Sequence, residues 1–406
     1  MSLLQPTDAN EIAEMISWVV QEGDSLEIVG GGTKRALGRP MKTDHVLDVS
    51  RFEGIVAYEP AELVLTVRPG EPLASINAEL GKNRQMLAFE PPDWRALLGA
   101  EGAETLGGIV ACNMAGSRRV RAGSARDYVL GFSAVNGFGE IWKAGGKVVK
   151  NVTGYDMGKL QAGAYGTLSA LTEITLKVMP GPETSCTVVL HGLTDEAAIS
   201  ILADSLNSPF EVSGAAHLPS PAARRSKTGG VAAGPGAATA LRLEGPRPSV
   251  AYRAGALESL VGRGARLNET ETEAFWSEVG AVQPFLAPGS RIVWRLCPTP
   301  SRAPTVAHSI LSAMQSAEFY FDWGGGLIWL SLDPGEAGPD AGANIVRPAV
   351  RSAGGHATLV VAPETVRAVT PVFEPMSGAL AELTARVKKG FDPRGVLNPG
   401  RMHEGF

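Results

Sequence analysis

Three successive glycines, Gly30-Gly31-Gly32, follow directly on the apolar run Leu26–Val29 and lead into Thr33-Lys34-Arg35. A short buried strand that ends in side-chain-free backbone can turn sharply and aim successive N–H groups into one concavity, which suits a phosphate. The run is not a P-loop, because no second glycine precedes Lys34 at the required spacing. A Rossmann fingerprint also fails: Gly30 and Gly32 fit its first two positions, but Arg35 falls on the third. Taken alone, the loop is equally well read as a tight turn without a ligand.

A second stretch narrows the choice. Thr105-Leu106-Gly107-Gly108 is followed by Asn113, Gly116, Gly123, Arg126 and Asp127. Core packing explains one glycine pair but not the series. The whole chain is glycine-rich, with 49 of 406 residues against an average of roughly 7%. Two phosphate-friendly loops in one module predict a dinucleotide held through its pyrophosphate.

Composition excludes several classes. Hydrophobic residues make up 44% and charged residues 19%, as in a globular chain. With 37 basic against 42 acidic side chains, the net charge of -5 argues against a general nucleic-acid binder. Cys112, Cys186 and Cys297 form no CxxC pair and no metal-ligand spacing, so free thiols in a reducing cytoplasm are expected, with no metal and no cluster. The N-terminus carries no signal-peptide pattern. No apolar run approaches 18 residues, so membrane attachment is expected only through partners.

The pattern along the chain changes once. A helix is predicted on Ile12, Met15, Ile16, Val19 and Val20, and strands at 26–29, 46–49 and 63–67. A further helix opens at Pro72. From 101 to 178 the chain is glycine-punctuated and reads as antiparallel sheet with short helices. Met179-Pro180-Gly181-Pro182 marks a boundary. Beyond it, 184–362 reads as two β-α-β-β-α-β units, with the last strand of the first copy poorly marked. The insertion 219–238, rich in Ala, Gly and Pro, is expected to be a mobile loop. The stretch 391–400 is too turn-rich for a helix and is expected to pack back on an earlier domain.

The ordered series Val29-Gly30-Gly31-Gly32-Thr33, Thr105-Leu106-Gly107-Gly108, and Gly123 through Gly131 resembles the FAD-binding module of the vanillyl-alcohol oxidase superfamily. Lys150-Asn151-Val152-Thr153-Gly154-Tyr155-Asp156, Gly166-Thr167, Leu171 through Ile174, Asp392-Pro393 and Leu397-Asn398-Pro399-Gly400 continue the likeness. Within that superfamily the chain most resembles the FAD-binding E subunits of bacterial glycolate oxidases. The resemblance implies an α+β fold: a two-part PCMH-type FAD-binding module at 1–180, a cap of two ferredoxin-like units at 184–362, and a segment, 363–406, returning to the first module. It further implies that Gly30, Gly31, Gly32 and Thr33 hold the pyrophosphate. Pro92, Thr105, Gly107, Gly108, Asn113, Gly116, Gly123 and Asp127 would line the flavin side, and Ile174 the adenine or ribose end. Some relatives attach flavin through a histidine in the first loop. No histidine lies between 28 and 40 here, so non-covalent FAD is expected.

Oxidising a 2-hydroxy acid such as glycolate to glyoxylate needs a cation for the carboxylate and a base for the hydroxyl proton. Candidate cations are Arg118, Arg119, Arg121, Arg347 and Arg351, with Arg347 the chosen clamp; His356 is the expected base. Related dehydrogenases carry a paired-histidine metal site in the cap, whereas His191, His217, His308, His356 and His403 are scattered singly here. The resemblance implies a complex with a sister flavin subunit and an iron–sulfur subunit. One alternative is a non-catalytic FAD-holding assembly or electron-relay subunit. A stand-alone nucleotide-sugar reductase fits less well, because its cap is not expected to be duplicated.

Overall fold

Leu26–Val29 is buried at its start and pairs in parallel with His45–Asp48, the two joined by the glycine loop. The computed structural model describes residues 2–147, 154–286 and 291–405. Residues 150–153, part of the sequence motif given above, lie outside the described residues.

The first part of the chain builds two sheets. Strands β1 (Ser2–Leu4), β2 (Leu26–Val29) and β3 (His45–Asp48) form a parallel sheet in the order β1-β3-β2. The helix Ala9–Glu22 covers it, burying Ile12, Ile16 and Val19. Asp8 caps that helix by accepting from the Asn10 and Glu11 amides, and Gly23 ends it in the left-handed conformation. Strands β4 (Ile55–Glu59) and β5 (Val64–Val67) begin a second sheet, and β6 (Gln85–Met86) lies outside it. Strands β7 (Val129–Asn136), β8 (Ile141–Gly145) and β9 (Ser169–Lys177) complete it, antiparallel throughout, in the order β4-β5-β9-β7-β8. Strand β10 (Met179–Pro180) returns to pair with β6.

The remainder forms one eight-stranded sheet. Its strands are β11 (Thr184–His191), β12 (Gly214–Leu218), β13 (Ala238–Gly245), β14 (Ala265–Leu267), β15 (Ile292–Cys297), β16 (Glu318–Asp322), β17 (Leu327–Leu332) and β18 (His356–Val361). Their order is β14-β11-β13-β12-β16-β17-β15-β18. Read from the middle outwards, the two halves have the same order, and each half has the chain order β-α-β-β-α-β. The halves meet where β12 pairs β16 at His217 and Phe321.

One face of the large sheet carries helices over a core that includes Trp294, Phe321 and Leu330. The other face, through Val293, Tyr320 and Trp329, shares a core with Phe89, Leu106, Ile109 and Ile174 of the first module. The expected mobile loop at 219–238 is instead packed structure. It contains the helices Ser220–Ala223 and Gly229–Ala232, and Ala222, Ala223 and Val231 are buried in that shared core. Alanine and glycine there are the small side chains of close packing, a composition that on sequence alone looks like a linker.

Candidate functional site

The glycine loop, the Thr105–Gly108 segment and the chain end surround a cleft enclosing about 820 Å³ of space, its solvent-facing part included. Gly30, Gly31, Gly32, Thr33, Lys34, Thr105, Gly107 and Gly108 all line it.

Among the described residues, the five successive amides from Gly30 to Lys34 donate to no protein acceptor. Thr33 and Lys34 are nevertheless buried. Buried N–H groups are seldom left unpaired, and a run of them is an anion-binding concavity. A Cβ on Gly31 would stand 1.7 Å from the Ala103 carbonyl oxygen, and one on Gly30 would stand 2.5 Å from Thr105 Oγ1. These two glycines therefore let the two loops touch. Gly108 is different: a Cβ there meets nothing closer than 3.5 Å and borders the cleft.

Four polar side chains, Lys34, Gln161, Asn398 and Arg401, complete the wall. Lys34 Nζ donates to Glu104 at 2.7 Å with both side chains buried, an ion pair that ties the first loop to the second. Gln161 Nε2 and Arg401 Nε are buried without a protein partner among the described residues, and both residues line the cleft. Arg401 is fixed by Nη2 donating to the Lys34 carbonyl at 2.8 Å. Asn398 accepts from the Ile28 amide at 2.8 Å and donates to the Tyr165 carbonyl at 2.6 Å. Sequence reasoning missed Lys34, Gln161, Tyr165 and Arg401 as wall residues. The available signal was adjacency to motifs: Lys34 follows Gly30-Gly31-Gly32-Thr33, Tyr165 precedes Gly166-Thr167 and Arg401 follows Leu397-Asn398-Pro399-Gly400, whereas Gln161 adjoins none.

The other expected flavin-side residues do not line this cleft. Pro92 and Gly116 border a separate cavity on the cap side, and a Cβ on Gly116 would meet the Glu90 carbonyl oxygen at 2.4 Å. Asp127 closes a capping box with Ser124, and Gly123 is kept free of a side chain by that carboxylate. Asn113, at φ 49°, accepts from the Arg126 amide. Ile174 is buried in β9 and flanked on both sides, by Val67 of β5 and Phe132 of β7.

Of the candidate cations, Arg118 bonds Glu244 and pairs with Glu90, Arg121 pairs with Glu211, and Arg351 with Glu374. Arg347, expected as the substrate clamp, is a structural residue. It is buried on the helix Ala343–Ser352 and donates to Glu374 at 2.8 Å, to the Ala357 carbonyl at 3.0 Å and to the Pro371 carbonyl at 2.5 Å. Burial, the first cause, holds its pKa below the usual arginine value despite Glu374. Arg119 alone of the five has no carboxylate partner among the described residues. His356 is exposed at the start of β18, directly opposite Cys297. His217 and His308, far apart in sequence, both bond Asp195, at 3.0 and 2.7 Å. No group of His, Cys, Asp and Glu among the described residues could hold a metal ion.

A family model described as an FAD binding domain matches residues 2–145. Glycolate oxidase subunit GlcE of Escherichia coli (strain K12) is 36% identical over 97% of this chain and 96% of its own length. The chain belongs to the GlcE family. Glycolate oxidase subunit GlcD of Bacillus subtilis (strain 168) is 32% identical over 49% of this chain and 42% of its own length. A crystal structure of p-cresol methylhydroxylase with substrate bound superposes with a TM-score of 0.70, covering 99% of this chain and 88% of that one, at 13% identity. The fold is thus the PCMH-type flavoprotein fold. FAD is the dinucleotide of the GlcE-family module, and the unpaired amides of the first loop suit its pyrophosphate.

Proposed function

We propose that this chain is the FAD-binding subunit of a glycolate oxidase complex, an oxidoreductase that converts a small 2-hydroxy acid to the 2-oxo acid. The observation that carries the reading is the run of five unpaired amides, Gly30 to Lys34, in a chain that matches GlcE over nearly its whole length. These amides would hold the pyrophosphate. Thr105 and Gly108 would close over it from the second loop, and Gln161 Nε2 and Arg401 Nε would supply buried donors. Attachment is non-covalent in this reading, since the first loop offers no histidine. Bound FAD supplies the acceptor for the hydride that leaves the substrate carbon.

His356 is the proposed base for the hydroxyl proton. Its pKa is raised above the ordinary imidazole value, first by its interaction with the Cys297 thiol. The partners in this reading are a sister flavin subunit and an iron–sulfur subunit, because three separate thiols here cannot hold a cluster. No helix among the described residues is long and apolar enough to cross a membrane, so any membrane contact in this reading is made by those partners.

The test is anaerobic mixing of the purified yellow chain with glycolate, alone and with the partner subunits. Bleaching of the flavin band by the chain alone is the expected result. Bleaching only in the assembled complex would move this chain to electron relay. A chain that retains no flavin after loading with excess FAD would overturn the reading.

A further inference from the structure

Where the first module meets the cap, charges are mostly paired. Arg118 and Arg242 are matched by Glu90 and Glu244 in one buried network. Arg119 and Arg295 are not. Among the described residues neither guanidinium has a hydrogen bond or an ion pair, and the contact of each is with an aromatic ring. The carboxylate that acts on Arg119 from nearby, Asp127, is spent on the Ser124 amide and hydroxyl.

Both arginines stack on one indole. Arg119 lies 4.8 Å and Arg295 5.0 Å from the ring centroid of Trp323. The indole is pinned by Nε1 donating to the Gly116 carbonyl at 3.1 Å. Cation–π stacking holds each charge in place but leaves the hydrogen-bonding edges of both forks unmet. Each cation lowers the tendency of the other to stay charged, since like charges disfavour one another. Burial first, and then the Arg295 charge, push the Arg119 guanidinium below its usual pKa.

The pair faces the cofactor module. On β15, Val293, Arg295 and Cys297 share one face, and Val293 packs in the core shared with that module. Tyr165 lines the dinucleotide cleft, and its phenol, pushed up by burial, feels the Arg295 charge. Cys297 is directly opposite His356, and Arg295 is opposite Thr358. Arg295 and His356 are therefore diagonal neighbours, about 7–8 Å apart across the pair and within reach of long side chains. Burial raises the Cys297 thiol, but Arg295, His356 and Arg119 together outweigh it and hold its pKa below the ordinary value. The cluster is thus a region of positive potential beside the cleft.

We infer that Arg119 and Arg295, both stacked on Trp323, form the carboxylate clamp for an anionic substrate, a small 2-hydroxy or 2-oxo acid, at the junction of the two modules. The inference rests on the reading of the chain as a 2-hydroxy-acid oxidase subunit and names the residues that would hold its substrate. A planar fork from each module gives bidentate carboxylate recognition and makes binding depend on the two modules staying docked. The neighbouring His356 then meets the hydroxyl end of the same small molecule.

The experiment uses the full chain and oxalate, a non-oxidisable dicarboxylate of similar size, followed by titration calorimetry and by perturbation of the flavin spectrum. Wild type is expected to bind one oxalate per chain and to ignore oxamide, its neutral isostere. Arg119→Met and Arg295→Met should each weaken oxalate tenfold or more while FAD content stays at the wild-type level. If a methionine variant unfolds, the lysine variant replaces it. Lysine keeps the charge but loses the fork, and a weakening of roughly threefold to tenfold is expected. Unchanged affinity in the folded variants at both positions, or no oxalate binding by wild type, overturns the inference. A chain without flavin would fail the functional reading instead, and calorimetry on that flavin-free chain still tests the arginines.

Discussion

Two glycines of the nucleotide cleft serve different ends. A side chain on Gly31 collides with the backbone of Ala103, whereas one on Gly108 enters the cleft without touching the protein closely. Gly31→Val should therefore lower the melting temperature even of the flavin-free protein. Gly108→Val should leave that temperature unchanged and abolish FAD retention. The ratio of absorbance at the flavin band to that of the protein, beside a melt of each apo variant, checks both; a yellow Gly108→Val protein would contradict the cleft. What the sequence made legible at Gly30–Gly32 was a sharp turn after a buried strand; only the second glycine series, Thr105 to Asp127, turned that into an expectation of a ligand. Gln161 and Arg401 were not legible, because a lone polar residue carries no pattern until its unpaired buried nitrogen is seen. The bonds of Arg347 were hidden for the same reason: its partner Glu374 and the Pro371 carbonyl belong to the segment after the helix Glu364–Val369, and nothing in sequence spacing brings that segment to Arg347.

The final helix, Gly378–Phe391, and the turn after it act as one fastening element. Lys388 Nζ donates to the Thr167 carbonyl at 2.6 Å, to the Leu397 carbonyl at 2.9 Å and to Asp392 at 2.6 Å, with both ionic side chains buried. Asp392 in turn accepts from the Val396 and Leu397 amides, and Leu397 pairs beside Leu26 at the foot of the glycine loop. Lys388→Met removes the cation from a buried pair, a change that costs about 3–5 kcal/mol when one partner is left behind. We expect a lower urea midpoint and weaker FAD retention together, since Asn398 and Arg401 reach the cleft through this segment. A drop in stability with wild-type FAD affinity would uncouple the tail from the cleft. The return of this segment was legible from its turn residues, as was the duplicated order of the cap elements. The edge strand β14 was faint in sequence because two of its three residues are exposed and give no apolar alternation.

Across the whole molecule, the module and cap are joined by buried polar groups as well as by a shared core. Ser117 of the first module donates to Asp322 of the cap at 2.7 Å, and the Trp323 amide donates to the same carboxyl. Burial drives the Asp322 pKa up to about 7, more than these hydrogen bonds and Arg242 draw it down. The usual unfolded value is about 3.9. Between those limits the folded protein holds a proton that the unfolded chain releases, so this group's contribution to stability is complete below about pH 4 and is lost as pH rises towards 7. Glu244 acts in the opposite sense. Burial raises its pKa, but Arg118 and Arg242 outweigh this and set it at about 2, so its contribution is present above about pH 4.5 and lost as pH falls. Comparing wild type with Asp322→Asn isolates the first effect, since the amide keeps the shape and an acceptor oxygen while removing the titration. The variant should match wild type in urea melts at pH 4 to 5 and exceed it at pH 8 by a few kcal/mol, at about 1.4 kcal/mol per pKa unit. An equal difference at both pH values would mean that Asp322 is ionised throughout. In that case the junction that carries Trp323, and with it the paired arginines, would be wetter than its packing shows.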